Sequence, residues 1–85
     1  MVKKEKNEVS EIETIELNIA REALIEEIEA IISYDEKLLY VEDEELRNIL
    51  IHNRDDEKEH IAMLLNWLSK KDPALEKELK ERLFK

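Results

Sequence analysis

The chain has no cysteine, which excludes disulfides, iron–sulfur clusters and thiolate zinc sites and leaves oxygen and imidazole as the donors for any metal. Glycine is also absent, and Pro73 is the single proline. Turn chemistry for strands is therefore nearly missing, and long uninterrupted helices are favoured. No apolar run is long enough to span a bilayer, and Met1-Val2-Lys3-Lys4-Glu5-Lys6 lacks the apolar core of a signal peptide. A cytoplasmic protein is expected. Positive charge is in deficit, with 14 Lys and Arg against 23 Asp and Glu and a net charge of −9. That field repels nucleic acid and anionic membranes and concentrates cations.

What remains is a charged, aliphatic chain of 85 residues, expected to be all-α and too short to bury its long helices alone. A partner chain is expected. Residues 1–9 are charged and aperiodic and are expected to be disordered, leaving 10–85 as one helical domain. Ser10-Glu11-Ile12-Glu13 is a capping box at a helix start. The stripe Ala20, Ala23, Leu24, Glu27, Ile31, Tyr34 and Leu38 carries that helix to about Tyr40, roughly 45 Å. Val41-Glu42-Asp43 is the turn, Asp43 caps a second helix running to about Lys70, and Asp72-Pro73 opens a third, short helix to about Phe84.

The organising feature is Glu57 and His60, the Glu-x-x-His spacing that lets two ligands on one helix face reach a common ion. Stepping by three or four from Glu57 reaches Leu46, Leu50 and Asn53 one way and Ile61, Leu64 and Leu68 the other. Both ligands thus sit on an apolar stripe, where a carboxylate and an imidazole are costly to bury unless something neutralises them. A lone histidine on such a face is more often a satisfied core residue. Its company with Glu57, and with Glu27 on the apolar stripe of the preceding helix, reverses that reading. Di-iron sites in four-helix bundles take a Glu from each of two helices and Glu-x-x-His from each of the other two. This hairpin carries half of that set, so a two-fold dimer would supply six ligands around two metal ions. Asn53, one turn before Glu57, is placed to orient a ligand, and Tyr34, two turns after Glu27, to reach toward the metal cavity, although such a Tyr is more often a core residue with its hydroxyl satisfied. Trp67, Met63 and Phe84 are assigned to packing.

The sequence resembles the encapsulated ferritins, ferritin-like proteins housed inside encapsulin shells. The resemblance spans about Ile19 to Phe84. It rests on the runs Glu26–Asp35, Ile49–Met63 and Trp67–Pro73, with Leu83-Phe84 closing the third helix. It implies an antiparallel hairpin plus a short helix, dimers completing a ferritin-like four-helix bundle, and a ring-shaped decamer. It further implies a ferroxidase that oxidises Fe(II) with dioxygen, two irons per dimer, for mineral storage inside an encapsulin nanocompartment. Glu27, Glu57 and His60 are then the ferroxidase ligands, with Glu57 of both chains bridging. Glu26 and Glu29 match an acidic site through which metal enters, where calcium is a further candidate ion, and His52, Asp56 and Glu59 match a secondary metal site. The alternative for these outer groups is a solvated acidic face.

Three departures stand against the family pattern. Ser33 replaces a frequent Trp, and Asp56 a common Glu. The sequence also stops at Lys85, where relatives continue into a tail that targets the shell, so the expectation is a truncated chain or one encoded beside or fused to its shell. Two rival functions are a helical dimerisation module whose carboxylates only keep it soluble, and a di-iron peroxidase.

Overall fold

The computed structural model describes residues 10–84, so the expected disorder of 1–9 lies outside it. It contains α1 (Glu11–Leu38), α2 (Glu44–Lys71) and α3 (Pro73–Arg82), the all-α class that the composition implied and the hairpin with a short third helix that the caps and stripes implied. Each start is capped as expected. Ser10 Oγ accepts from the Glu13 amide at 3.0 Å, and Asp43 Oδ1 from the Leu46 amide at 2.8 Å. Asp72 Oδ1 accepts from the Leu75 amide at 3.2 Å. These bonds satisfy amides that have no partner in the first turn, and the acidic residues there suit the positive end of the helix dipole.

The ends differ from the pattern by a residue or two, for identifiable reasons. α1 stops at Leu38 rather than Tyr40 because its last turn tightens, with Leu39 and Tyr40 amides donating to Glu36 and Lys37 carbonyls. Arg47 then reaches back from α2 and donates from Nη1 to the carbonyls of Leu38, at 2.6 Å, and Val41, at 2.8 Å. One guanidinium thus holds a turn that has no glycine. α2 continues one residue further than expected, to Lys71. α3 ends at Arg82 because the Leu79 carbonyl accepts from both Leu83 and Phe84 amides, a closure that terminates a helix.

Leu17, Ala20 and Leu68 form the buried core, with Leu24, Leu64, Trp67 and Leu75 packed against it. Arg21 on α1 pairs with Asp72 Oδ2 at 3.2 Å and ties α1 to the junction that sets the direction of α3. The described residues measure 61 × 33 × 15 Å and form a single layer of helices with none of them stacked on it. A two-helix layer has one inner seam, so every other apolar stripe stays open. Ile12, Ile15 and Ile19 make one exposed stripe of α1, and Ile25, Ile28 and Ile32 another. Leu46, placed on the apolar stripe by periodicity, and Met63 and Phe84, assigned to packing, are also exposed, because one hairpin has no second layer to receive them. Trp67 alone of the three residues assigned to packing lies against the core.

Candidate metal centre

The antiparallel seam brings Glu27 on α1 against Glu57 and His60 on α2. His60 Nδ1 lies 3.3 Å from Glu27 Oε2 and 3.3 Å from Glu57 Oε2, and one ligand atom from each residue falls within 4.8 Å of the others. Among the described residues this is the group of three His, Asp or Glu side chains with ligand atoms so close. The geometry suits coordination. Two donors each about 2.1 Å from one ion at a right angle are about 3 Å apart, close to the separations found here. Two carboxylates and an imidazole are the hard and borderline donors that divalent iron accepts.

The arrangement also makes sense of burial. The Glu57 and Glu27 side chains are 20% and 24% exposed, whereas His60 is 49% exposed. An imidazole has a single hydrogen to place on Nδ1, yet two carboxylates compete for that atom. A cation between them would satisfy all three groups. His60 is more open than its place on an apolar stripe implied, because the stripe's far edge meets no second layer.

One side of the triad opens on a cavity of about 360 Å³ lined by Ala23, Glu27, His60, Met63 and Leu64. A second groove, of about 310 Å³, shares Ala23 and Leu64 with it and continues along Ile19 and Ala20 to Trp67. Glu27 and His60 therefore stand at one end of an open, largely apolar trough. Met63 was missed as part of this site. Its spacing of three from His60 is the signal that points to it, a spacing shared by ordinary packing residues.

The other predicted groups are placed less closely. Glu26 and Glu29 are exposed on α1. His52 Nε2 contacts Asp56 Oδ2 at 3.3 Å on the outer surface of α2, and Glu59 is exposed beyond them. Within one chain these three do not converge as the triad does. Tyr34 is half-buried, with Lys37 Nζ 5.4 Å from its ring centre, and is not among the residues lining the triad's cavity. Asn53 is half-buried one turn before Glu57. Further toward the turn, Arg54 bridges the helices through Asp35 at 2.9 Å and also meets Asp55. The Asp35 and Asp55 carboxylates raise the Arg54 pKa further. Hydrogen bonds from Lys58 and then Arg54 hold the Asp55 carboxyl below its ordinary range.

Comparison with known proteins gives the chain's family and a solved neighbour of the same fold. Residues 1–85 match the family described as EncFtn-like. The "Ferritin-like protein" of Thermotoga maritima is 46% identical over 65 residues, covering 76% of this chain and 57% of its own. The "Encapsulated ferritin-like protein" of Rhodospirillum rubrum is 43% identical over 77 residues, covering 91% and 55%. The chain thus spans about half the length of these curated relatives. A crystal structure of protein ne0167 from Nitrosomonas europaea superposes with a TM-score of 0.81 at 45% identity, covering 99% of this chain and 91% of that one. Among the described residues, no helix is long and apolar enough to cross a membrane. With a match along its whole length, close relatives and a shared helical fold, the chain belongs to the EncFtn-like family.

Proposed function

We infer that the chain is a ferroxidase that binds Fe(II) between two copies of itself and passes its electrons to dioxygen. The observation that carries this reading is the convergence of Glu27, Glu57 and His60 within 4.8 Å at the end of an open apolar trough. Three ligands cannot hold a pair of ions, but a two-fold copy laid on the trough repeats them and buries the exposed aliphatic wall. The ferritin-like names of the two curated relatives favour iron as the substrate.

Iron arrives as substrate in an acidic field set by the net charge of −9. Glu26 and Glu29, exposed on α1, are assigned to its approach, and calcium is a second ion they would accept. Glu27 and Glu57 hold hard cations through their oxygens. His60 would bind as the neutral imidazole, ligating through one ring nitrogen and keeping its single proton on the other. Holding two ions side by side allows both electrons needed for a two-electron reduction of dioxygen to come from one site. His52, Asp56 and Glu59 are assigned to a secondary metal site on the outer face. A single helical layer encloses no storage volume, so the ferric product is deposited elsewhere. The name of the Rhodospirillum rubrum relative favours an encapsulin compartment as that place, and a ring-shaped decamer is the assembly that the family resemblance favours.

The test is anaerobic titration with Fe(II), followed by admission of air. Saturation at two irons per pair of chains and a rise in ferric absorbance are expected. A colourless protein that assembles without taking up iron would replace this reading with a helical dimerisation module.

A further inference from the structure

Met63 lines the cavity beside the triad and has no role in the reading above. It is 62% exposed and shares the cavity of about 360 Å³ with Glu27 and His60. One turn of α2 separates it from His60, so both side chains occupy the same side of the helix. A thioether is a poor ligand for a hard cation, and Met63 is not among the residues packed on the core. Its distinctive chemistry is two-electron oxidation by peroxides to the sulfoxide.

We propose that Met63 is a sacrificial modification site that consumes hydrogen peroxide formed when iron is oxidised at the neighbouring ligands. The proposal rests on the ferroxidase reading and deepens it. Two ferrous ions, dioxygen and two protons give two ferric ions and one hydrogen peroxide. A lone pair on Met63 Sδ attacks one peroxide oxygen, the O–O bond breaks, an S–O bond forms, and the second oxygen leaves as water. Sulfur loses two electrons and the peroxide gains them, so no further reductant is required. The trough that a second copy would cover holds sulfur and ligands in one space, which puts Met63 in the path of peroxide before bulk solvent. The sulfoxide is polar where the thioether was apolar, and reductases specific for methionine sulfoxide reverse it.

The experiment uses the full chain, loaded anaerobically with Fe(II) and then exposed to air with an equimolar amount of N-acetylmethionine in solution, once without catalase and once with it. Ferric absorbance and peptide mass spectrometry are recorded together. The expected result is one added oxygen on Met63, favoured on the order of tenfold or more over the free thioether because proximity raises its effective concentration. Unmodified Met63 after the ferric absorbance has risen would overturn the proposal. So would equal oxidation of the two thioethers, or loss of the Met63 oxygen when catalase is present. Absence of any ferric absorbance would instead overturn the ferroxidase reading, and this proposal with it. A second variant, Met63→Leu, conserves side-chain volume. Without catalase it should release more peroxide per iron than the parent, by the amount of sulfoxide the parent forms, and equal yields would overturn the proposal.

Discussion

Replacing Glu57 by Gln keeps the side chain's shape and removes its charge, which separates a metal ligand from a structural ion-pair partner. Its ligand oxygen and that of Glu27 lie no more than 4.8 Å apart. At that separation two unit charges repel by about 3.5 kcal/mol at an effective dielectric of about 20, and by about 0.9 kcal/mol in water. Both side chains are partly open, at 20% and 24% exposed, so the relief on neutralising one of them is about 1–3 kcal/mol. Against this stands the contact from Glu57 to His60 Nδ1 at 3.3 Å, a hydrogen bond that the Gln amide oxygen accepts more weakly, at a cost of up to about 1 kcal/mol. His60 keeps its contact with Glu27. The metal-free variant should therefore match the parent or exceed it by up to about 2 kcal/mol, a rise of several degrees in Tm. Iron behaves oppositely. Groups that merely support a ligand are worth about 10–100-fold in metal affinity, and Glu57→Gln, which alters a proposed ligand itself, should cost more. Metal-free thermal melting and anaerobic Fe(II) titration measure the two effects. Iron oxidation at the parent rate would refute the ligand role. A metal-free stability lower by about 2 kcal/mol or more would show Glu57 to be a structural partner of His60.

Ile19→Glu places a charge in the exposed apolar trough and should give monomers, seen by sedimentation, that oxidise Fe(II) no faster than buffer; an active monomer would refute the shared site. Glu26→Ala combined with Glu29→Ala should change the rate of iron oxidation while two irons per pair of chains still bind, as rapid-mixing kinetics and equilibrium titration would show. Asp72→Ala removes the α3 cap and the partner of Arg21 and should cost about 1–2 kcal/mol in denaturant unfolding. Asp55 titrates below its ordinary 3.8 through Lys58 and Arg54. Its stabilising contribution is therefore fully present above 3.8 and is lost as pH falls through the lower folded value. Asp55→Asn should remove that part of the acid-induced fall in Tm, with a smaller difference in high salt because the group is exposed.

The elements and the triad were legible in the sequence because they depend on short-range rules. Ser10, Asp43 and Asp72 mark helix starts by side-chain bonds spanning three residues, and Glu57 and His60 meet because of helical spacing alone. Glu27 required only that the two helices fold back on each other. The Arg47 and Arg21–Asp72 contacts and the Arg54–Asp35 bridge were not legible. They depend on the register between helices, and a long flexible side chain reaches several positions from any one register. Periodicity likewise placed Leu46 on an apolar stripe, and residue type assigned Met63 and Phe84 to packing, but neither showed what lies opposite them. The sequence alone determined which residues form helices and which side chains share a face, since both follow from bonds a few residues apart. Only the tertiary structure decided that Glu27 meets His60 at 3.3 Å, that His60 stays half open, and that an apolar trough runs from the triad to Trp67. Those facts arise from how two helices lie against each other, an arrangement set by the summed packing of the seam and not by any single residue's preference.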